Sequence, residues 1–289
     1  MGDRMDILRA PEEPAGGGDA ECAKGGSGVP ARGAPPHPGF SEASFSVPSW
    51  VVPGTYLENL RFLADKPVAG VELLFFIYDE EVARLFDAEF EGICEFGGRF
   101  VFTAHLPDDL RPEHEALVGR LAPLVRHFVV HPAATPEAWG AQARMLDAWA
   151  GEYGSADAPR FLLENTVPGL LEGVLPLLDA NVGVCMDTGH LLERGMRPAE
   201  FLARHGGRVR EIHLHGMDRG RAAVDGRLAD HRAVRPGDAW LRELLPSLRA
   251  FHGVVNLEVF SWDEAAESLR ALQSCREAHW KGMGGRGDG

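Results

Sequence analysis

Six successive apolar runs in this chain end in, or just before, a residue that can hold a metal ion. His105 closes Phe102-Thr103-Ala104-His105, His131 closes Phe128-Val129-Val130-His131, and Glu164 closes Phe161-Leu162-Leu163-Glu164. Asp187 closes Val182-Gly183-Val184-Cys185-Met186-Asp187, with His190 three residues beyond it. His213 and His215 alternate in Ile212-His213-Leu214-His215, and Glu258 closes Val254-Val255-Asn256-Leu257-Glu258. A loop after the His213 run carries Asp230-His231. Each residue alone has a plain alternative. A lone strand-end His is a hydrogen-bonded structural residue, a lone Glu pairs with an Arg, and Asp187-Thr188 reads equally well as a helix N-cap. The pattern is harder to explain that way. Carboxylates and imidazoles crowded at one buried rim repel and desolvate one another, and divalent cations resolve that conflict.

The elements that must position these groups follow from hydrophobic periodicity. From residue 44 onward, β-type apolar runs alternate with amphipathic stretches of helical period. The expected strands are 44–50, 69–77, 99–105, 126–131, 160–165, 181–187, 209–215 and 253–259. The expected helices are 54–65, 79–96, 113–124, 135–152, 168–179, 197–206, 238–250 and 262–277. Helix starts are marked by Thr135-Pro136, by Pro198 and by a Ser261-x-x-Glu264 capping box. Eight β/α units in about 240 residues predict a single-domain (β/α)8 TIM barrel, whose catalytic face is the C-terminal end of its strands. An open doubly wound sheet competes, but Ser49-Trp50-Val51-Val52-Pro53-Gly54 after the first strand is no Gly-rich phosphate turn. Residues 1–40, rich in Gly, Pro and Ala, are expected to be a disordered leader. Residues 41–280 would form the barrel and 281–289 a flexible Gly-rich tail.

The formal net charge of -14 disfavours binding to nucleic acid, which needs Lys and Arg on phosphates. Cys22, Cys94, Cys185 and Cys275 form no CxxC pair and read as reduced thiols of a cytoplasmic protein. No signal peptide and no apolar run long enough to span a bilayer is visible. Glu72, early in the second strand, reads either as lumen-facing or as half of an internal charge pair. His114 and His127 are expected to be solvent-exposed. His205 and His252, near the opposite end of their units, are expected to be structural. Arg219, Arg221, Arg227 and Arg232 cluster in the loop after the seventh strand, either as a solvated loop or as a phosphate grip.

Over residues 44–277 the chain resembles the xylose-isomerase-like barrel superfamily, which includes endonuclease IV-type metal hydrolases. Thr103-Ala104-His105, His131-Pro132, Leu163-Glu164-Asn165, Met186-Asp187-Thr188-Gly189-His190, Ile212-His213-Leu214-His215 and Leu257-Glu258 carry the resemblance through their combination and order. In the sugar isomerases and epimerases of this group four residues hold one metal, and the matching positions are Glu164, Asp187, His213 and Glu258. The endonuclease IV-like hydrolases add histidines for a multi-metal cluster, matched by His105, His131, His190 and His231. Their loop usually reads Asp-x-His, whereas Asp230 and His231 are adjacent. A narrower similarity, to the cobamide-remodelling phosphodiesterases, rests on Ser46-Val47-Pro48-Ser49-Trp50 with Tyr56-Leu57-Glu58-Asn59-Leu60, on Val71-Glu72-Leu73-Leu74-Phe75-Phe76 and on Ala104-His105-Leu106-Pro107.

That resemblance implies hydrolysis of the nucleotide-loop phosphoester of a corrinoid by two or three divalent ions. Zinc, manganese, iron and cobalt all suit such ligands. Metal ligands would be His105, His131, Glu164, Asp187, His190, His213, Asp230, His231 and Glu258. Glu164 would bridge two ions, and Glu258 would orient or deprotonate the attacking water. Asn165 and Thr188 would fix ligand orientation. The partner expected is a small-molecule phosphoester, with no nucleic acid and no membrane. The alternatives are a single-metal sugar isomerase or epimerase, an endonuclease IV-like nuclease and a non-enzymatic ligand-binding barrel.

Overall fold

The computed structural model of the protein describes residues 44–154, 159–166, 169–179, 181–222 and 228–284. Eight parallel strands close into a barrel in the order β1 (Ser44–Pro48), β2 (Gly70–Leu74), β3 (Val101–His105), β4 (Val125–Val130), β5 (Phe161–Glu164), β6 (Val182–Asp187), β7 (Val209–His213) and β10 (Val254–Asn256). Closure is visible at Ser46, which lies beside Gly70 on one side and Asn256 on the other. All eight expected strands are present, each inside or overlapping its expected range. Parallel strands covered on both faces need near-continuous apolar sequence, and every residue of β5 and β6 is buried.

Helices pack around the strands: α1 (Tyr56–Leu63), α2 (Glu80–Glu95), α3 (Glu115–Leu121), α4 (Pro136–Tyr153), α5 (Leu170–Val174), α7 (Pro198–His205), α8 (Ala239–Arg249) and α9 (Trp262–Gly284). Their inward faces follow the helical period. Phe86, Phe90 and Ile93 are the buried residues of α2, and Leu241, Leu244, Leu245 and Leu248 those of α8. Thr55 and Glu58 form a capping box on α1, and the Asp79 carboxylate accepts from the amides of Glu81 and Val82 on α2. Thr135 precedes α4 as expected, but its hydroxyl makes no capping bond; Pro136, fixed in φ and lacking an N–H, starts the helix without it.

Three features depart from the expectations. A six-residue helix, α6 (Thr188–Glu193), follows β6 directly. The loop after β7 folds into an antiparallel hairpin of β8 (Gly216–Ala222) and β9 (Leu228–Arg232). His114 and His127, expected at the surface, are buried. The expected leader, residues 1–40, lies outside the described residues, as does Cys22. Of the expected tail, 281–284 continue α9 and 285–289 lie outside. Cys185 and Cys275 are free thiols. No helix among the described residues is long and apolar enough to cross a membrane.

Candidate metal centre

Sheet register brings the polar strand ends to one level. Asp187 lies beside His213, His213 beside Asn256, and Glu164 beside Cys185, two residues short of Asp187. His105 lies beside Val129, so His131 emerges two residues higher on the same face of β4. His105, Glu164, Asp187, His213 and Glu258 are buried, and His131, His190 and His231 are partly exposed above them. The hydrophobic strands thus sink the carboxylates into a mouth whose outer wall is imidazole.

Two groupings share Glu164. In the first, His105 Nε2 is 3.2 Å and His131 Nε2 3.1 Å from Glu164 Oε2. In the second, Glu164 Oε1 is 3.8 Å from His213 Nδ1, and Asp187 completes a set whose ligand atoms lie within 4.8 Å of one another. Across the mouth, Glu258 Oε2 stands 3.2 Å from His213 Nδ1, 3.6 Å from His231 Nε2 and 3.7 Å from His215 Nε2. Two atoms each ~2.0–2.1 Å from one tetrahedral ion are separated by about 3.3 Å. The shorter contacts therefore have the spacing of ligands around a shared cation.

Three of the imidazoles, those of His105, His131 and His213, are held by the outer nitrogen. His105 Nδ1 donates to the Leu106 carbonyl at 3.0 Å, which turns Nε2 toward Glu164. His131 Nδ1 faces Asp108 Oδ1 at 3.1 Å. His213 Nε2 donates to Glu72 Oε1 at 3.2 Å, and the other oxygen of Glu72 accepts from the Asn256 amide. A histidine whose far nitrogen is bonded to a carbonyl or carboxylate presents a fixed lone pair to a metal. The inner atoms His213 Nδ1 and Glu258 Oε2 are buried and make no hydrogen bond among the described residues. Such orphaned groups cost about 1–3 kcal/mol each unless a ligand satisfies them. On that test the residues fit one or more divalent cations.

Asp187 answers both readings of its segment. Its Oδ1 accepts from the His190 amide at 2.6 Å, capping α6, while Oδ2 faces His215 Nε2 at 3.0 Å. The His231 amide donates to His215 Nδ1 at 3.0 Å, which leaves Nε2 to face Asp187. His215 thus contacts Asp187 and also belongs, with His231 and Glu258, to a group that could hold a metal ion. Its own amide donates to Thr188 Oγ1 at 3.0 Å. The Thr188 hydroxyl proton faces the carbonyls of His213 and His215 at 3.1 and 2.9 Å. The ring lies over Gly189, where a Cβ would stand 1.9 Å from His215 Cε1. Asn165 clamps the backbone of Asp187, accepting from its amide at 2.8 Å and donating to its carbonyl at 3.0 Å. Asn165 and Thr188 thus sit where the sequence places orienting groups.

Protons and carboxylates share the site electrostatically. Burial pulls His131 down, but Glu164 and Asp108 outweigh it and raise it to about 10. Burial is likewise outweighed at His213, by Cys185, Glu258 and Glu72, and at His231, chiefly by Asp230 and Glu258; both rise well above the usual imidazole value. Burial would raise Glu164 and Glu258, but the imidazoles hold both well below the carboxylate range. Deeper in the lumen, burial and the charge of Glu72 push Glu211 far up, and it accepts from Thr103 Oγ1 at 3.1 Å.

Not every expected ligand joins the groupings. His190 Nε2 lies 3.7 Å from Glu164 Oε1, and Asp230 pairs with His231 Nδ1 at 3.2 Å; neither enters a set of three ligand atoms among the described residues. Adjacent residues of a strand point to opposite faces, and Asp230 and His231 are neighbours in β9. His231 reaches the mouth by adopting φ 50°, while Asp230 stays more than half exposed. Sequence reasoning left Glu72 open, named His215 without giving it a role, and passed over Asp108 and Glu211. The alternation His213-x-His215 was the available signal for His215. Nothing marked Asp108, whose role depends on the turn after β3. Of the arginine cluster, Arg232 pairs with Glu264 at 3.1 Å, whereas Arg219, Arg221 and Arg227 lie outside the residues whose side chains are described.

No protein-family model and no curated protein matches the chain. Solved structures do. A D-tagatose 3-epimerase-like protein is 19% identical, with a TM-score of 0.53 over 83% of this chain and 99% of that one. An IOLI protein with a bound zinc atom is 18% identical, with a TM-score of 0.57 over 81% and 95%. A xylose isomerase-like TIM barrel/4-hydroxyphenylpyruvate dioxygenase fusion protein is 16% identical, with a TM-score of 0.61 over 83% of this chain and 44% of that chain. The fold, a closed TIM barrel, is one the chain shares with these structures. At these identities the likeness is one of fold.

Proposed function

We propose that the protein is a metal-dependent phosphodiesterase that cleaves the nucleotide-loop phosphoester of a corrinoid. The observation that carries this reading is the group His105, His131 and Glu164, built beside the set Glu164, Asp187 and His213 and sharing only Glu164 with it. A single ion leaves no ligand role for His105 and His131, yet both are oriented inward by dedicated partners. Bound divalent ions would supply Lewis acidity and a nucleophilic water.

The residues supply the rest. Glu164, with one oxygen toward each grouping, holds the two halves of the site in register. Glu258 keeps Oε2 free of hydrogen bonds and faces the mouth, where it can accept a proton from the attacking water. Glu72, Asp108 and His215 hold His213, His131 and Asp187 in place. Phe76, whose ring centroid is 4.3 Å from that of His105, and Phe260, 4.9 Å from His231, put apolar surface on both sides of the mouth. Phe260 is 40% exposed, and Ile77, next to Phe76 in sequence, is 73% exposed. A phosphodiester carried on a broad apolar body such as a corrin ring suits that rim. The corrinoid itself is proposed from the motif resemblance.

A second reading, a single-metal sugar isomerase or epimerase, has the better support among the matched structures, which include the D-tagatose 3-epimerase-like protein. It needs only Glu164, Asp187, His213 and Glu258, with the two glutamates moving protons. Incubating the metal-loaded protein with an intact cobamide, and separately with a panel of ketoses, then resolving products by mass, separates the two. Release of the lower-ligand riboside is expected. Epimerised ketose with intact cobamide would reverse the order of the readings.

A further inference from the structure

A cavity of about 550 Å³ opens at the opposite end of the barrel, where strands begin. Arg126 and His127 reach it from the start of β4, Arg160 from the residue before β5, and Arg210 from the start of β7. His252, ahead of β10, lines it too, and among the described residues no carboxylate does. In a chain with a net charge of -14 this is a concentration of positive charge against the general trend.

Arg160 and Arg210 are held in place but keep spare donors. Arg160 donates to the carbonyl of Tyr153 at 2.9 Å and to those of Ala122 and Val125 at 2.5 Å each. Those bonds use three of its five N–H groups. Among the described residues Arg210 uses only Nη1, on the carbonyls of Gly207 and Val209 at 3.1 and 2.9 Å. Arg126 is exposed and makes no hydrogen bond or ion pair among the described residues. Rigid guanidiniums with spare donors are suited to oxyanions.

A second observation points to a ligand. His127 is only 4% exposed, and its Nδ1 is buried with no hydrogen-bond partner among the described residues. The ring bonds the Pro159 backbone. Burial, then the charges of Arg126, Arg160 and Arg210, push its pKa down to about 4. The ring is therefore neutral at physiological pH, and with its other nitrogen donating to a carbonyl, Nδ1 is an acceptor. The cavity thus offers several cationic donors, and one residue of its lining carries a buried, unpartnered acceptor. A hydrogen phosphate group complements that set, because it has oxygens for the guanidiniums and a P–OH for the imidazole. Sulfate, fully ionised, has no proton to give.

We propose that this basal cavity binds a phosphate group, as free phosphate or as the monoester end of a small molecule, independently of the metal centre. Calorimetric titration of the full-length, metal-loaded protein with inorganic phosphate tests it, using Asp187→Ala to remove the contribution of the metal rim. Binding is expected in wild type and in Asp187→Ala. It should weaken more than about tenfold in Arg126→Glu, at an exposed position, and in Arg126→Ala/Arg210→Ala, each having lost charge-assisted hydrogen bonds. Sulfate should bind more weakly than phosphate in wild type, and His127→Phe should remove that preference. A methyl phosphate monoester that competes with phosphate would identify an ester as a ligand, whereas exclusion would restrict the site to the free ion. No phosphate binding to Asp187→Ala up to about 10 mM would overturn the proposal. So would affinity unchanged by the arginine substitutions, or sulfate bound as tightly as phosphate.

Discussion

Gly189→Ala gives the sharpest test of how the centre is held together. Gly189 sits in the first turn of α6, where replacing Gly by Ala ordinarily gains up to ~1 kcal/mol of helix propensity. Here the added Cβ would meet His215 Cε1 at 1.9 Å and Nδ1 at 2.6 Å. The ring cannot move freely, because its amide, Nδ1 and Nε2 are tied to Thr188, His231 and Asp187. Overpacking costs about 1–3 kcal/mol, and the lost bond to the Asp187 carboxylate about 1.5–3 kcal/mol. Net destabilisation of about 2–5 kcal/mol follows once the propensity gain is subtracted. For a domain of this size that lowers Tm by roughly 5–15 °C. Asp187 would lose its orienting contact, and metal affinity should fall about 10–100-fold. Thermal melts and chelator competition measure both. In a His215→Ala background the struck atoms are absent, so adding Gly189→Ala should cost little. A Gly189→Ala protein with unchanged Tm and metal affinity, or one equally costly in both backgrounds, would refute this reasoning.

Glu72→Gln keeps the shape of the side chain but removes the charge that orients His213; metal affinity should drop about 10–100-fold with the fold retained, read by metal titration and circular dichroism. Metal affinity should rise with pH between about 6.5 and 10, because cation and proton compete for imidazoles whose values are raised, His131 to about 10; calorimetry in buffers of different ionisation enthalpy should show proton release. The linkage has the opposite sign in the metal-free protein. His131 stabilises it fully below the unfolded value near 6.5, and that contribution is lost as pH rises toward 10, so the Tm of chelator-treated protein should fall over this window while loaded protein holds. A metal-free Tm that rises from pH 7 to 9 would contradict the assignment.

The barrel was legible because parallel strands buried on both faces must be apolar, and β5 and β6 are buried throughout. His105, His131, Glu164, Asp187, His213 and Glu258 were legible as a group because the barrel sends every strand's C-terminal end to one rim. Asp187 was ambiguous in sequence for a physical reason: its two oxygens do both jobs, one capping α6 and the other facing the centre. What stayed hidden depends on tertiary geometry. Six residues are too few for α6 to display a helical period, and the polar, arginine-rich hairpin β8–β9 has no apolar alternation to read. His127 looked exposed beside Arg126, yet its ring turns under the barrel. Asp108 owes its place against His131 to the turn that follows β3, which no local pattern announces.

The number of metal ions held at the rim bears most directly on the proposed chemistry. Elemental analysis of wild type and His131→Ala, both confirmed folded, reads it. More than one ion per chain is expected in wild type, with part of the complement lost in His131→Ala because Glu164, Asp187, His213 and Glu258 remain intact. A single ion per chain, unchanged by His131→Ala, would contradict a multi-metal hydrolase and leave the isomerase or epimerase reading in its place.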